Sequence, residues 1–170
     1  KHITNYNISF AYKIEQQFSA KEDFASGHYS IEESAAAMSM LEIVREAFTK
    51  DMAGYIVPGK QWRISITGMA DASPINKAIA YDGCYGEYED EPVYKDGNLT
   101  AMTLNKSEGV ATNEQLAFLR ALGVKHHIEQ TIDDLKKMDC DYSYNINLAS
   151  KTGGQYRRIS VVFTFIDAFK

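Results

Sequence analysis

The sequence predicts an α/β (α+β) sandwich, a mixed sheet carrying two long helices on one face in the order βαβαββ. Three observations predict it. Residues 31–52 and 112–136 carry apolar side chains at helical spacing. Residues 3–14, 61–68, 142–148 and the stretch after Arg157 alternate apolar with polar residues, as half-buried strands do. Strand and helix patterns alternate until two strands end the series, which places right-handed helical crossovers on one face of a sheet.

In chain order, residues 3–14 mix aromatic and β-branched residues in rough alternation and form the first strand. Ser30 with Glu33 has the spacing of a capping box, and Ile31, Ser34, Met38, Leu41, Val44 and Phe48 follow along one helical face. Gly54 and Pro58-Gly59 stop that helix and turn the chain. Residues 61–68 place Trp62, Ile64 and Ile66 on one face of a second strand. Residues 72–111 then lose the rhythm. They hold Pro74, Pro92, four glycines and the acidic run Glu87–Glu91, with only short strand-like pieces such as Leu99–Leu104, and are expected to be an insertion. Thr112 with Gln115 caps the second helix, whose buried side is Leu116, Leu119, Val124, Ile128, Ile132 and Leu135. Residues 142–148 form a strand, Gly153-Gly154 turns the chain, and Ile159, Val161, Phe163 and Phe165 alternate along the last strand. The final two strands are expected to pair antiparallel across that glycine turn.

The 170 residues suit one domain, 1–170, with 72–111 inserted in it; hydrophobic content is 45% and charged content 24%. A formal net charge of −5 argues against nucleic acid as a partner, since phosphates need clustered Lys and Arg. No apolar run approaches the roughly 20 residues that span a bilayer. The first residue is Lys1, which leaves room for a removed signal peptide or N-terminal anchor. Cys84 and Cys140 stand outside any C-x-x-C pattern, and either one disulfide or two free thiols is open to them. His126 and His127 are adjacent, face different directions on a helix, and make a poor metal pair. Glu87–Glu91 lacks the spacing of a calcium loop and reads as a solvated run. No nucleophile elbow, H-E-x-x-H or phosphate-cradling loop is present, so no catalysis and no cofactor are expected.

In crossover folds, ligands collect beyond the carboxyl ends of the parallel strands. Asp71 sits there, three residues past Gly68, and Arg120 lies about two turns into the next helix, so both can reach one shallow pocket. A carboxylate and a guanidinium held apart suit a zwitterionic amino-acid centre. The bland alternative is a salt bridge closing the strand–helix junction. Of Arg157 and Arg158, alternation sends one toward solvent and the other toward the helices.

These pieces occur in a specific order: a strand ending Gly68-x-x-Asp71, the helix Asn113-x-x-Leu116-x-x-x-Arg120-Ala121, and a strand opening Tyr156-Arg157-Arg158. That order resembles OmpA-like domains, including those of peptidoglycan-associated lipoproteins and flagellar stator proteins. The resemblance covers residues 5–167, interrupted by the insertion. It implies the βαβαββ fold, and it implies that Asp71 and Arg120 clasp the diaminopimelate of the peptidoglycan peptide stem. Asn113, Leu116, Arg157 and Arg158 stand at the family's matching positions. The implied protein is a non-catalytic periplasmic domain that tethers an outer-membrane or lipoprotein assembly to the cell wall. The sequence departs from the family pattern at Met69 and Ala70, where Thr ordinarily precedes the Asp, at Tyr156 in place of Asn, and in the long insertion. An OmpA-like fold that has lost wall binding and serves as a protein-interaction module through its insertion is the competing expectation. The insertion is expected to lie beside the pocket, pack Ile75, Ile79, Tyr81, Tyr85, Val93 and Tyr94 on the second helix, narrow access to Arg120, and be removable without unfolding the domain.

Overall fold

A computed structural model describes residues 4–13, 24, 26–50 and 61–169. The strands are β1 (Thr4–Lys13), β2 (Gln61–Ala70), β3 (Tyr88–Lys95), β4 (Asn98–Leu104), β5 (Asp139–Leu148) and β6 (Ile159–Phe169). The helices are α1 (Ala35–Thr49) and α2 (Asn113–Thr131), with short 3-10 turns at Ile31–Glu33, Asp133–Lys137 and Gly154–Tyr156. Together they make a mixed six-stranded sheet in the order β1-β6-β2-β5-β3-β4. The expected turn at Gly54 and Pro58-Gly59 lies outside the described residues.

Alternation along the strands decides which face is covered. Trp62, Ile64 and Ile66 of β2, Tyr144 and Ile146 of β5, and Ile159, Val161 and Phe163 of β6 are buried under the helices. Their neighbours in sequence on the opposite face, such as Ser65, Thr67, Asn145 and Ser160, are half-exposed, and Asn145 Nδ2 donates to Ser65 Oγ across the β2–β5 pair at 2.8 Å. α1 buries Met40, Leu41, Val44 and Phe48. Phe48 meets Trp62 and Phe163 edge-to-face at 5.3 and 4.8 Å between ring centroids, a geometry that adds about 1 kcal/mol per pair beyond burial. Phe118 of α2 meets Tyr144 in the same way at 5.5 Å, so both helices lie on one face.

Where the caps fall differs from the Ser30 expectation. Ser30 makes no side-chain cap; Ser34 does, accepting from the Ala37 N–H, so the α-helix proper begins four residues later. The Thr112–Gln115 capping box is formed as read, and α2 starts at Asn113.

Two features of the sheet depart from the βαβαββ reading. First, β5 and β6 are not neighbours. β5 pairs with β2 in parallel, β6 pairs with β1 and β2 antiparallel, and β2 stands between the last two strands. A tight turn cannot span two strand spacings of about 4.8 Å each, and residues 149–158 instead arch over the end of β2. Second, the insertion belongs to the sheet. β3 and β4 form a hairpin whose first strand pairs with β5 through Tyr94–Asn145 and Lys95–Ile146. Asp96 and Gly97 turn it, both with positive φ (50° and 80°), as a two-residue type I′ turn requires. The hairpin sends Val93, Met102 and Leu104 into the shared core, joined by Tyr81 and Val110 from the rest of the insertion. Residues 72–111 thus cover the outer edge of β5 and the Phe118–Tyr144 contact, which argues against their being removable. Tyr94, expected against α2, is 41% exposed on the face opposite α1 and α2.

One glycine sets the distance between layers. A Cβ on Gly68 would lie 1.8 Å from the Ala117 carbonyl oxygen and 3.1 Å from the Ala121 nitrogen, so α2 rests directly on the β2 backbone. The Gly68→Ala protein should lose about 3 kcal/mol of stability, seen as a lower urea midpoint, because rigid backbone meets the new methyl; an unchanged midpoint would refute this packing. Replacing residues 75–109 by a short Gly-Ser link should give a chain that fails to show a cooperative unfolding transition, and a sharp native-like transition would return the insertion to the role of a dispensable loop.

Candidate functional site

The six residues singled out by sequence lie at one end of the sheet, but they are not arranged as an open clasp. Asp71 follows the last residue of β2 and is 4% exposed. Its carboxylate accepts from the Ser73 N–H at 3.0 Å, the Ser73 hydroxyl at 3.1 Å, the Gly153 N–H at 3.0 Å and the Arg157 guanidinium at 2.6 Å. Burial alone would raise its pKa. The Gly153 and Ser73 amides, with the Arg157 and Ser73 side chains, outweigh that and hold it below the ordinary 3.8. Asp71 is thereby the pin of the 149–158 arch, helped by the Ala149 N–H to Ala70 carbonyl and Ala72 N–H to Lys151 carbonyl bonds, both 3.0 Å.

Arg120 is fully buried. Its Nε and Nη2 donate to the His28 carbonyl at 3.0 and 2.8 Å, and its Nη1 donates to the Met69 carbonyl at 2.7 Å. The guanidinium carbon also lies 4.9 Å from the Phe24 ring centroid. Burial depresses its pKa to about 9, the nearby Arg157 adds to that, and Asp71 opposes it; a guanidinium so placed still carries its charge at pH 7. The physical reason for its burial is that α2 is covered all round through its middle, from Leu116 to Val124. The sheet takes one side. Phe24, His28 and Ile31 cover another, and Tyr85 and Tyr88 of the insertion reach it as well: a Cβ on Gly123 would touch both Ile31 and Tyr85.

Among the described residues, Phe24 and His28 lie directly on the Arg120 side chain. Arg157 also holds Phe24: its Nε donates to the Phe24 carbonyl, and the Phe24 N–H donates to the Arg157 carbonyl at 3.3 Å. Neither arginine of the pair faces solvent freely. Arg157 is turned toward Asp71, and Arg158, 9% exposed, borders an apolar cavity of about 400 Å³ with Met69, Leu148 and Tyr156. Asn113 donates to the Ser73 carbonyl at 3.0 Å and so ties the start of the insertion to the start of α2, while Leu116 is a core residue. A cavity of about 150 Å³ lies here, lined by Gly27, Asp71, Ser73, Ile75, Asn113 and Leu116, with Arg120 outside its lining.

Sequence reasoning missed Phe24, His28 and Ser73. Main-chain carbonyls carry no residue signature, which hides His28. Ser73, two residues after an aspartate, is the ordinary setting of an Asx turn and was legible. Cys84 and Cys140 are both free thiols, and burial pushes Cys140 up to about 11, far from a reactive thiolate. Among the described residues no three His, Cys, Asp or Glu converge on a metal position, and no helix is long and apolar enough to cross a membrane. Comparison with known proteins returns no match, whether to family models, to curated proteins or to solved structures.

Arg120→Ala should cost about 3–5 kcal/mol in urea denaturation, because it empties a buried site and strands two carbonyls; a loss below 1 kcal/mol would mean that the guanidinium is not structural. Asp71 gives an acid limb of defined sign. Its folded pKa lies below the unfolded value near 3.8, so its stabilisation is complete above that pH and fades as pH falls through the lower folded value. Asp71→Asn should lower stability at pH 7 and flatten the stability profile between pH 4 and the acid transition, and a parallel profile would exclude this linkage.

Proposed function

We propose that this is an OmpA-like domain of an exported bacterial envelope protein in which the clasp for diaminopimelate has become an internal tie, and which works as a non-catalytic protein-interaction module through its insertion. The observation that carries the reading is Arg120. All three of its nitrogens donate to main-chain carbonyls of His28 and Met69 inside the protein, with no accessible surface left for a ligand carboxylate. Asp71, the other half of the clasp, is likewise engaged by Arg157, Ser73 and Gly153. Engaging a zwitterion would mean breaking charge-assisted bonds worth roughly 1.5–3 kcal/mol each before any are gained.

The OmpA-like assignment is supported by the chain order, which is βαβαββ once the β3–β4 hairpin is set aside, and by the placement of the motif residues at one strand end. The interaction reading is supported by the insertion, which builds the outer two strands of the sheet and presents exposed apolar side chains at Tyr94 and Leu99. In this reading the domain sits in the periplasm, as part of an outer-membrane or lipoprotein assembly, and needs no cofactor.

Direct peptidoglycan binding is the second reading. The cavity of about 150 Å³ against Asp71, Asn113 and Leu116 favours it. It requires Phe24 and His28 to leave Arg120 so that the guanidinium can meet the stem carboxylate.

Titration of the intact chain with a diaminopimelate-containing muropeptide separates the two. The expected outcome is no saturable heat and no shift in melting temperature. Saturable binding that Asp71→Asn or Arg157→Ala weakens at least about tenfold, in protein that remains folded, would replace the first reading by the second.

A further inference from the structure

The hairpin leaves a strand edge open. β4 ends the sheet order and, among the described residues, pairs with β3 alone. The two-residue turn fixes which backbone groups point outward. Lys95 and Asn98 close it as a hydrogen-bonded pair, so Val93–Thr100 is the next such pair, and the N–H and C=O groups of Leu99 and Ala101 point away from β3. Pro92 fits this alternation: it lies opposite Ala101, where its missing N–H takes nothing from the β3–β4 ladder. Further along, the Thr103 carbonyl is taken by Gln115 Nε2 at 3.0 Å, so the open edge is confined to residues 98–102. Edge strands are ordinarily blunted by lysine or proline. The β4 sequence, Asn98-Leu-Thr-Ala-Met-Thr-Leu104, has neither.

The two faces beside this edge differ. On the face opposite α1 and α2, Tyr94 and Leu99 stand opposite each other at 41% and 65% exposure, with Pro92 and Ala101 exposed next to them. On the other face, Glu108 and Glu114 border residues 100–103 in a groove of about 390 Å³ that also holds Lys95, which is paired to Glu114. Glu87, Glu89 and Glu108 line a second groove of about 400 Å³ beside Thr103, where Lys106 pairs with Glu87 and leaves the glutamates in excess. Residues 72–111 hold seven Asp and Glu against three Lys, so four of the five net negative charges of the chain reside in the insertion. Two copies meeting β4 to β4 would bring like charges together, which disfavours a symmetric pair as the occupant.

Resting on the interaction-module reading, we infer that the β4 edge receives an extended segment of a partner protein that alternates apolar with Lys or Arg residues and adds as a further strand. Main-chain bonds to Leu99 and Ala101 supply affinity. The apolar side chains of the segment lie along Leu99 and Tyr94, and its basic side chains point to the glutamate-lined face.

The test uses the whole chain and a short synthetic peptide alternating lysine with valine, followed by amide chemical shifts. Saturable binding is expected, with the largest shifts at Leu99 and Ala101. It should weaken at least about tenfold with Glu108→Lys and with Ala101→Pro, which removes one outward donor and leaves the β3 ladder whole. Should Ala101→Pro not fold, the same peptide N-methylated at alternate residues removes the matching groups from the ligand side and should fail to bind. A peptide alternating glutamate with valine should not bind. The inference is overturned if the lysine peptide does not bind, if both peptides bind equally, or if the shifts fall away from β4. Such a result leaves the module reading standing so long as the muropeptide titration is silent; a muropeptide that binds removes that reading whatever the peptides do.

Discussion

The buried guanidinium of Arg120 is the constraint on which this end of the molecule is built. Taking an ion out of water costs several kcal/mol even after relaxation, and that cost is offset only by acceptors held in fixed positions. Here the acceptors come from two distant parts of the chain, the Met69 carbonyl on β2 and the His28 carbonyl ahead of α1. The segment preceding α1 is thus tied to the strand end through a third element, α2. Arg157 lies close enough to disfavour the Arg120 charge, and Asp71 close enough to favour it. Arg120 therefore senses both of its charged neighbours, and Asp71 is itself held by Arg157.

That arrangement can exist only because the layers touch. Gly68, Ala117 and Ala121 remove the side chains that would otherwise separate β2 from α2. With α2 lowered onto the strand, Arg120 reaches the Met69 carbonyl directly. The insertion, with Phe24, His28 and Ile31, then closes over the outer side of the same helix. Small residues on one side and aromatic cover on the other convert a position that sequence alone assigns to a ligand into an interior one.

Legibility in the sequence follows periodicity. Alternation found β1, β2, β5 and β6, and 3.6-residue spacing found both helices; β2 buries alternate residues and α1 one stripe, whereas α2 is buried all round from Leu116 to Val124 and was legible from its apolar repeat and its cap. The Thr112–Gln115 box is local chemistry and was readable; the shift from Ser30 to Ser34 was not, since Ser30 and Ser34 both precede apolar runs and only packing of Ile31 decides between them. The hairpin left a usable signal in Asp96-Gly97, flanked by alternating residues, yet the charged run Glu87–Glu91 masked it as a loop. Strand order is a property of contacts between distant residues, which is why the separation of β5 from β6 escaped. At the site, sequence located Asp71, Asn113, Arg120 and Arg157 at one end of the sheet. It could not show that the acceptors of Arg120 are backbone carbonyls, because any residue type supplies one.

The position of β6 has a consequence for how the chain acquires its structure. This strand, last of the six in chain order, lies between β1 and β2 and is the neighbour of both. Until it is available, β1 has no strand partner among the described residues and β2 has one edge bare, although both are made far earlier. Productive pairing therefore waits on contacts of very large sequence separation, which places folding in the slow range of about milliseconds to seconds. During synthesis the early strands and the apolar face of α1 must stay unpaired while more than half the chain emerges, so this domain should depend on holding chaperones more than a helical protein of equal length.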